Sequence, residues 1–413
     1  VGSKFQAPRG TFDVLPAAAR TRRRIEQTAA AIFARAGYEP IATPSFEDTE
    51  LFERGVGHST DIVRKEMFTF EDKGGRSLTL RPEGTAPICR AYLEHGMHKL
   101  AQPVKLFYGG PFFRHERPQA GRYRQFHQLG AEAIGTDSPL ADAELIGLLA
   151  ELVAELGVPG VELRLGSLGS LDTRQAYLEE LRAHLRAHDG DLSREVRERI
   201  DANPLRAFDS DDEGTAAVME AAPKLVERLE GEDAEHFAEV RALLDAAGIE
   251  YTIDLTLVRG LDYYTRTIFS FVCDRLGAQS EIGGGGRYDG LVEQLGGKPT
   301  PAVGWAAGIE RIVLALDEDE ADTRRDVFIA VAEGGDSRKA AIVAAELRNA
   351  GLSAELDLGG RGLKGQLKHA DRIGARRVLI LDAGGAELRD MASGEQRPID
   401  TSKLVEEITG GEV

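Results

Sequence analysis

Residues 104–132 carry the pattern that most limits how this chain can fold. An apolar run from Val104 to Tyr108 reads as a buried strand. Further on, Phe126, Gln128, Gly130 and Glu132 fall on one face of a strand at period two. Between the two runs, Arg117 to Gly121 holds a proline and a glycine and reads as a turn. Strands joined this way pair as a hairpin, whose arms bear Arg114, Glu116, Arg122, Arg124, Gln128 and Glu132. From Arg114 to Arg124 four arginines stand against one carboxylate. Arg presents a rigid fork to phosphate oxygens, so the hairpin suits a nucleotide phosphate. A solvated hairpin with ordinary surface charge is the other reading these residues allow.

The elements around it alternate in type. Ala17 to Ala36 are strong helix formers with Ile25, Ala29, Ile32 and Phe33 on one stripe, and Gly37 serves as a C-cap. Tyr38 to Phe46 reads as an edge or interface strand, because Pro44 cannot donate to a central ladder. It would be either a dimer element or the first edge of a sheet. Met67–Phe70 and Ser77–Leu80 flank a turn and form a second hairpin signal. Glu83 then lies where a strand hands over to a helix, as a binding group or as a plain loop carboxylate. Leu140 to Leu156 is an amphipathic helix and Val161 to Leu165 a strand.

Leu171 to Ala247 reads as helical, broken at Asn203-Pro204, and interrupts an otherwise strand-rich region as an inserted domain. Strand signals return at Glu250–Val258 and Ile268–Val272. Between them, Arg259 to Thr267 packs two arginines, an aspartate and paired tyrosines, too polar for a plain core strand. Gly283 to Gly286 precede Arg287-Tyr288-Asp289, where bare backbone would admit a ligand closely or serve as a linker. Ala302 to Arg311 reads as a strand turning into a helix, with Trp305 in the core. Arg311 sits in the helix's first turns, where the helix dipole does not favour a cation. It is either functional or part of a surface salt bridge. Asp317 to Arg325 is a charged linker, and beyond it strand and helix alternate as in a small α/β domain with a mostly parallel sheet.

Composition narrows the functional classes. A chain of 413 residues, 42% hydrophobic and 29% charged, holds two or three globular domains. No run approaches the roughly 20 apolar residues that span a bilayer, and Val1–Arg9 lacks the apolar core of a signal peptide. Cys89 and Cys273 are too few for a disulfide framework or a thiolate metal cluster, which makes a reducing cytoplasm the expected location. The net charge of −18 is unevenly spread. Leu171 to Asp245 carries ten Lys/Arg against twenty Asp/Glu, whereas Arg361 to Arg377 carries six basic residues against Asp371 alone. Basic patches on an acidic body remain compatible with a nucleic-acid partner.

Taken together, these segments resemble histidyl-tRNA synthetases, class II aminoacyl-tRNA synthetases, along essentially the whole chain. The first helix with Gly37-Tyr38 and Pro44 is similar to the class's dimer-forming first motif. Phe113-Arg114-His115-Glu116 through Phe126 is similar to its second motif, and Gly304 to Arg311 to its third. Leu257 to Thr267 and Gly285 to Leu291 resemble segments more specific to the histidine enzymes. The glycine run is slightly richer than that family's usual Ala-Gly-Gly. Asp357 to Arg361 and Leu388 to Met391 resemble its anticodon-binding domain.

The resemblance implies an α+β fold: a class II antiparallel catalytic sheet of six or seven strands flanked by helices, a helical insertion, and a C-terminal α/β anticodon-binding domain. The corresponding boundaries are residues 1–170 and 248–322 for the catalytic domain, 171–247 for the insertion and 326–413 for the last domain. It also implies a cytoplasmic homodimer, with no membrane association, that joins L-histidine to tRNA(His) through histidyl-adenylate at the expense of ATP.

By resemblance, Arg114 and Arg259 hold the α-phosphate and are the catalytic cations. Arg311 meets the γ-phosphate, Phe126 stacks on adenine, and Glu116 and Arg122 complete the ATP site, with Glu116 a candidate Mg²⁺ ligand. Glu83, Thr85 and Gln128 receive the α-amino end of histidine. Glu132 and Tyr264 bond the two imidazole nitrogens, with Tyr263 and Tyr288 lining the pocket. Arg361, Lys364 and Lys368 face tRNA, the Arg117–Gly121 turn meets its acceptor end, and the insertion clamps its acceptor stem, where Arg194, Arg197 and Arg199 are the available cations. Two rivals are a catalytically inactive, synthetase-like regulatory subunit of ATP phosphoribosyltransferase and a class II synthetase for another small amino acid. The first lacks the anticodon domain and much of the active site; the second conflicts with the paired tyrosines and Glu132.

Overall fold

Period-two alternation decides which face of the main sheet carries chemistry. In the strand Gln125–Ile134, Leu129, Ala131 and Ala133 enter one apolar core, while Gln128, Gly130 and Glu132 point the other way. The neighbouring strand Ala302–Gly308 repeats this with Val303, Trp305 and Ala307 on the core side. That core is closed by the helices Pro16–Arg35, Pro139–Glu155 and Gly231–Ala246, with Ile25, Ile32, Phe33, Leu145, Leu149, Val240 and Leu244 buried between them. The first helix buries Ile25, Ala29, Ile32 and Phe33, the stripe its 3.6-residue period predicts. On the opposite face, Tyr108, Tyr263, Tyr264 and Tyr288 gather beside Thr85–Glu94.

The computed structural model describes residues 5–57, 60–316 and 325–409, and the chain divides into two units, Val1–Glu318 and Asp319–Val413. Of the expected linker, residues 317–324 lie outside the described residues, as do residues 1–4 of the N-terminal segment. The first unit's sheet has eight strands, in the order Glu39–Pro40, Val104–Phe113, Gln125–Ile134, Ala302–Gly308, Glu281–Arg287, Thr265–Cys273, Val161–Ser167, Thr252–Ile253. The six central strands are antiparallel, and a two-residue strand pairs in parallel at each edge. The arginine-rich hairpin thus lies within the sheet.

Four sequence expectations need correction. Tyr38–Phe46 is two strands, Glu39–Pro40 in the large sheet and Phe46–Asp48 in a separate three-stranded sheet with Phe68–Glu71 and Ser77–Leu80. Pro44, without an N–H, stands in the gap where pairing fails. Glu250–Val258 pairs only at Thr252–Ile253, because the Asp254 carboxylate accepts from the Thr256 N–H and hydroxyl and turns the chain. Between the long helices Leu171–Ala187 and Gly231–Ala246 lie the helix Glu213–Glu220 and shorter helical turns, so the block is less continuously helical than expected. The glycine run is no linker: Glu281–Arg287 is a buried central strand. A Cβ at Gly285 would lie 2.0 Å from the Gly304 carbonyl oxygen, so only bare backbone fits between its neighbours.

Among the described residues, the second unit has five strands, in the order Ala354–Leu356, Arg325–Val331, Ala375–Asp382, Gly385–Asp390, Gln396–Pro398. The first three are parallel, as the strand–helix alternation predicts; the last two add an antiparallel ribbon. Its tight turn forms because Asp382 Oδ1 accepts from the Gly384 and Gly385 N–H groups. Among the described residues, no helix is long and apolar enough to cross a membrane.

Candidate active site

On the tyrosine face of the large sheet opens a cavity of about 770 Å³, within the range for small-molecule sites. Its lining brings together Glu83, Thr85, Arg114, Glu116, Arg122, Phe126, Gln128, Arg259, Tyr263, Tyr264 and Arg311, which the sequence scatters over more than half the chain. Glu132 and Tyr288 are absent from that lining. Both are buried beneath it.

The floor is a network of carboxylates and hydroxyls. Glu83 caps the helix Thr85–Glu94, accepting from the Thr85 N–H at 2.8 Å and the Ala86 N–H at 3.0 Å, with the Tyr263 hydroxyl at 3.5 Å. Burial raises its pKa, partly opposed by those backbone donors. Glu132 accepts from the Tyr288 hydroxyl at 2.6 Å and the Thr85 hydroxyl at 2.9 Å. Glu132, expected to bond a ligand ring, and Tyr288, expected to line the pocket, bind each other just beneath the cavity floor. Burial pushes Glu132 up to about 8, with Tyr288 and Thr85 pulling the other way and nearby Glu83 adding to the rise. A Cβ at Gly304, opposite Glu132, would lie 1.6 Å from its Oε2. Glycine there makes the carboxylate's niche.

Cations close the other end. Arg114 Nε donates to the Pro82 carbonyl at 2.9 Å, and its guanidinium lies 5.4 Å from the Phe126 ring centre. Arg259 Nη1 donates to Glu281 at 2.7 Å, while its buried Nε has no partner; the side-chain oxygen of Gln128 is likewise buried without one. Such orphaned polar atoms are rare in a finished core and fit a site that awaits a polar ligand. Arg311 donates to the Gly121 and Glu281 carbonyls at 3.1 and 2.7 Å, which answers why a cation occupies a helix start. Glu116 pairs with Arg122 and lies 3.9 Å from Arg114. Burial, then the charge of Glu116, raises the pKa of nearby Glu66. Among the described residues, no three His, Cys, Asp or Glu side chains converge as a metal site.

The helical block 171–247 braces the loop that carries Arg259 and the tyrosines. Arg174 donates to the carbonyls of Asp262 and Tyr264 at 3.1 and 2.9 Å, Asn203 to the Asp262 carboxylate at 3.3 Å, and Arg206 to the Gly260 carbonyl at 3.4 Å. Arg194, Arg197 and Arg199 each face a carboxylate within the block or on Asp61.

The chain as a whole is similar to known proteins. A family model described as histidyl-tRNA synthetase covers residues 10–312, and one described as an anticodon-binding domain covers residues 326–410. The histidine–tRNA ligase of Halothermothrix orenii is 47% identical over 98% of this chain and 98% of its own length. The chain belongs to the histidyl-tRNA synthetase family. The histidine–tRNA ligase of Thermosynechococcus vestitus is 46% identical over 98% of this chain and 96% of its own. The apo histidyl-tRNA synthetase of S. aureus superposes with a TM-score of 0.82 at 36% identity, covering 98% of this chain and 99% of that one.

Within this histidyl-tRNA synthetase fold, sequence reasoning overlooked several groups at the site. Tyr108 lines the cavity, and its ring lies where a Cβ on Gly84 or Gly130 would stand; a tyrosine ending an otherwise apolar strand was the available signal. Glu310 ties the third motif to the second by accepting from the His127 N–H at 2.9 Å, and its carboxylate lies 3.0 Å from His127 Nδ1. Arg287 is fully buried against Asp142 at 2.7 Å; losing one partner of such a pair costs about 3–5 kcal/mol, so it holds the Tyr288 segment in place. Arg361, Lys364 and Lys368 lie in the second unit: Arg361 pairs with Asp357, and the two lysines are exposed one turn apart on the helix Leu363–Arg372.

Proposed function

We propose that this protein is a histidine–tRNA ligase, an ATP-dependent enzyme that activates L-histidine and transfers it to tRNA(His). One observation carries the reading: a single cavity joins a cationic end, with Arg114, Arg259 and Arg311, to an end floored by Glu83, Thr85, Gln128 and the tyrosines. The first end suits a triphosphate and the second an amino acid with a polar ring. In the first step a histidine carboxylate oxygen attacks the α-phosphorus of ATP. A new O–P bond forms as the bond to the bridging oxygen breaks, and pyrophosphate leaves with that electron pair. In the second step a ribose hydroxyl at the 3′ end of the tRNA attacks the acyl carbon, loses its proton, and AMP departs.

Arg114 and Arg259 are the cations we assign to the charge that builds on the α-phosphate, with Arg311 further along the chain of phosphates. Held by Pro82, Glu281 and Gly121, they need little reorganisation, which is how preorganised cations lower such barriers. Phe126 is assigned to adenine, and Arg122 with Glu116 to the rim of the ATP site. Glu83, Thr85 and Gln128 would take the amino group, and Tyr263 and Tyr264 the ring, with Glu132 and Tyr288 beneath. A floor of hydrogen-bonding groups discriminates by about 10⁴–10⁵ against amino acids that leave it unpaired. Mg²⁺ fits beside Glu116 and Glu66, two adjacent carboxylates, provided that the nucleotide phosphates supply the remaining oxygens. Bound there, it would neutralise charge on the pyrophosphate.

The division we infer gives residues 1–170 and 248–322 to the catalytic domain, 171–247 to a helical insertion and 326–413 to anticodon binding. We assign the work to the cytoplasm, where ATP and tRNA are both at hand. A homodimer joined through the first motif is part of the proposal, supported by the exposed ring pair Phe46–Phe70, 6.3 Å apart. The inactive regulatory subunit is set aside because the relatives named histidine–tRNA ligase match over the full chain, C-terminal unit included.

Purified protein should exchange pyrophosphate into ATP only when histidine is supplied, and should sediment at twice the chain mass. Equal exchange with other amino acids would sink the assignment. Replacing Arg361, Lys364 and Lys368 by Gln should weaken tRNA binding and flatten its salt dependence, by about 0.7–0.9 in log–log slope for each phosphate no longer neutralised. Filter binding across a salt series checks this, and an unchanged slope removes that helix from the tRNA surface.

A further inference from the structure

Glu281 touches no substrate in the mechanism above and enters it only by holding Arg259, yet its carboxylate stands among the cations. It opens the strand Glu281–Arg287 and lines the cavity beside Gly283 and Gly284. Its Oε1 accepts from Arg259 Nη1 at 2.7 Å and would lie 3.0 Å from a Cβ at Gly284, so the carboxylate rests over bare backbone. Its main-chain carbonyl accepts from Arg311 Nη1, also at 2.7 Å. One residue therefore touches two of the three cations assigned to ATP. Burial alone would raise its pKa, but Arg259, then Arg311 and Arg114, outweigh that and hold it below the usual carboxylate range. It is an anion at any physiological pH.

We propose that Glu281 is an internal counter-anion that occupies the place of an ATP phosphate beside Arg259 and must be displaced when the nucleotide binds. This rests on the histidine–tRNA ligase reading above. The contact is built to be exchanged. Arg259 meets Glu281 through Nη1, and its Nε is left buried without a partner, so the two-bond fork that guanidinium forms with an oxyanion is incomplete. A phosphate offering two oxygens completes it. Glu281 thus acts as a positioning residue: it holds Arg259 extended into an otherwise cation-rich cavity and lowers the affinity of that cavity for polyphosphates.

The test is calorimetric titration of the full-length Glu281→Gln protein with ATP and, separately, with AMP, which carries the α-phosphate alone. Both dissociation constants should fall about tenfold, equivalent to ~1.4 kcal/mol, with histidine affinity unchanged. Glu281→Ala should shift them the same way, which covers a folding defect in the first variant. Unchanged or weaker nucleotide binding overturns the proposal. So does weaker binding with a steeper Mg²⁺ dependence, the signature of a carboxylate that holds the metal instead. If the parent protein shows neither ATP binding nor histidine-dependent exchange, the ligase reading itself fails. If the parent exchanges and the variants do not tighten, only the counter-anion proposal falls.

Discussion

Replacing Arg259 with Ala should cut histidine-dependent pyrophosphate exchange by more than about 10²-fold, the scale for losing one preorganised charge stabiliser. The side chain is mostly buried, donates to Glu281 and lies 5.7 Å from the Tyr264 ring centre. Burial would lower its pKa, but Glu281 and the neighbouring tyrosines more than offset this, so it stays a full cation. Truncation removes that charge where negative charge builds and leaves Glu281, freed from its partner, facing the phosphates. Both effects act on the transition state, so kcat should carry the loss. Histidine binding, measured by titration without ATP, should survive, because the loop remains braced by Arg174, Asn203 and Arg206. Lysine should rescue little, since a point charge cannot reproduce the fork. Near-normal turnover in the alanine variant would remove Arg259 from catalysis.

That residue also shows what a sequence can and cannot disclose. Polar groups crowded into Arg259–Thr267 marked the segment as a site, because a core strand would not tolerate them. Nothing local told that Arg259 would find its partner on the glycine strand, which is 22 positions away. Periodicity predicted the first helix's buried stripe and the two faces of Gln125–Ile134, since burial of one face is written into spacing. It failed where pairing depends on tertiary neighbours. The four glycines read equally as linker or close approach until Gly304 and Phe269 were seen pressing on them from either side. Glu132 was legible as a site residue, but its depth was not. Whether a carboxylate lines a pocket or lies under it depends on what Thr85 and Tyr288 do, and they stand 47 and 156 positions away.

That depth gives the second large effect. Glu132→Gln should flatten the fall in the ligand-free protein's stability between about pH 5 and 8, the interval that separates an ordinary Glu pKa from the raised one. In the unfolded chain the carboxyl ionises near its ordinary value of 4.5; in the folded protein it keeps its proton up to about 8. The native state therefore binds more protons across that interval, and stability falls as pH rises, by about 1.4 kcal/mol per unit for one group. The full contribution is present below the unfolded pKa and is lost by the time pH passes the folded one. A total on the order of 3–5 kcal/mol is at stake, a large share of a domain's net stability. Glutamine carries no titrating proton. Its oxygen can accept from one hydroxyl while its amide donates to the other, because both Tyr288 and Thr85 can also accept. The variant should thus be near parental stability at pH 4.5 and more stable than the parent at pH 8.5. Glu66, also raised by burial, contributes the same slope to both proteins, so the difference reports Glu132 together with its coupling to Glu83. Urea unfolding at the two pH values provides the check. Parallel pH dependences in the two proteins would mean that Glu132 is ionised in the folded state, and that the network beneath the cavity is charged.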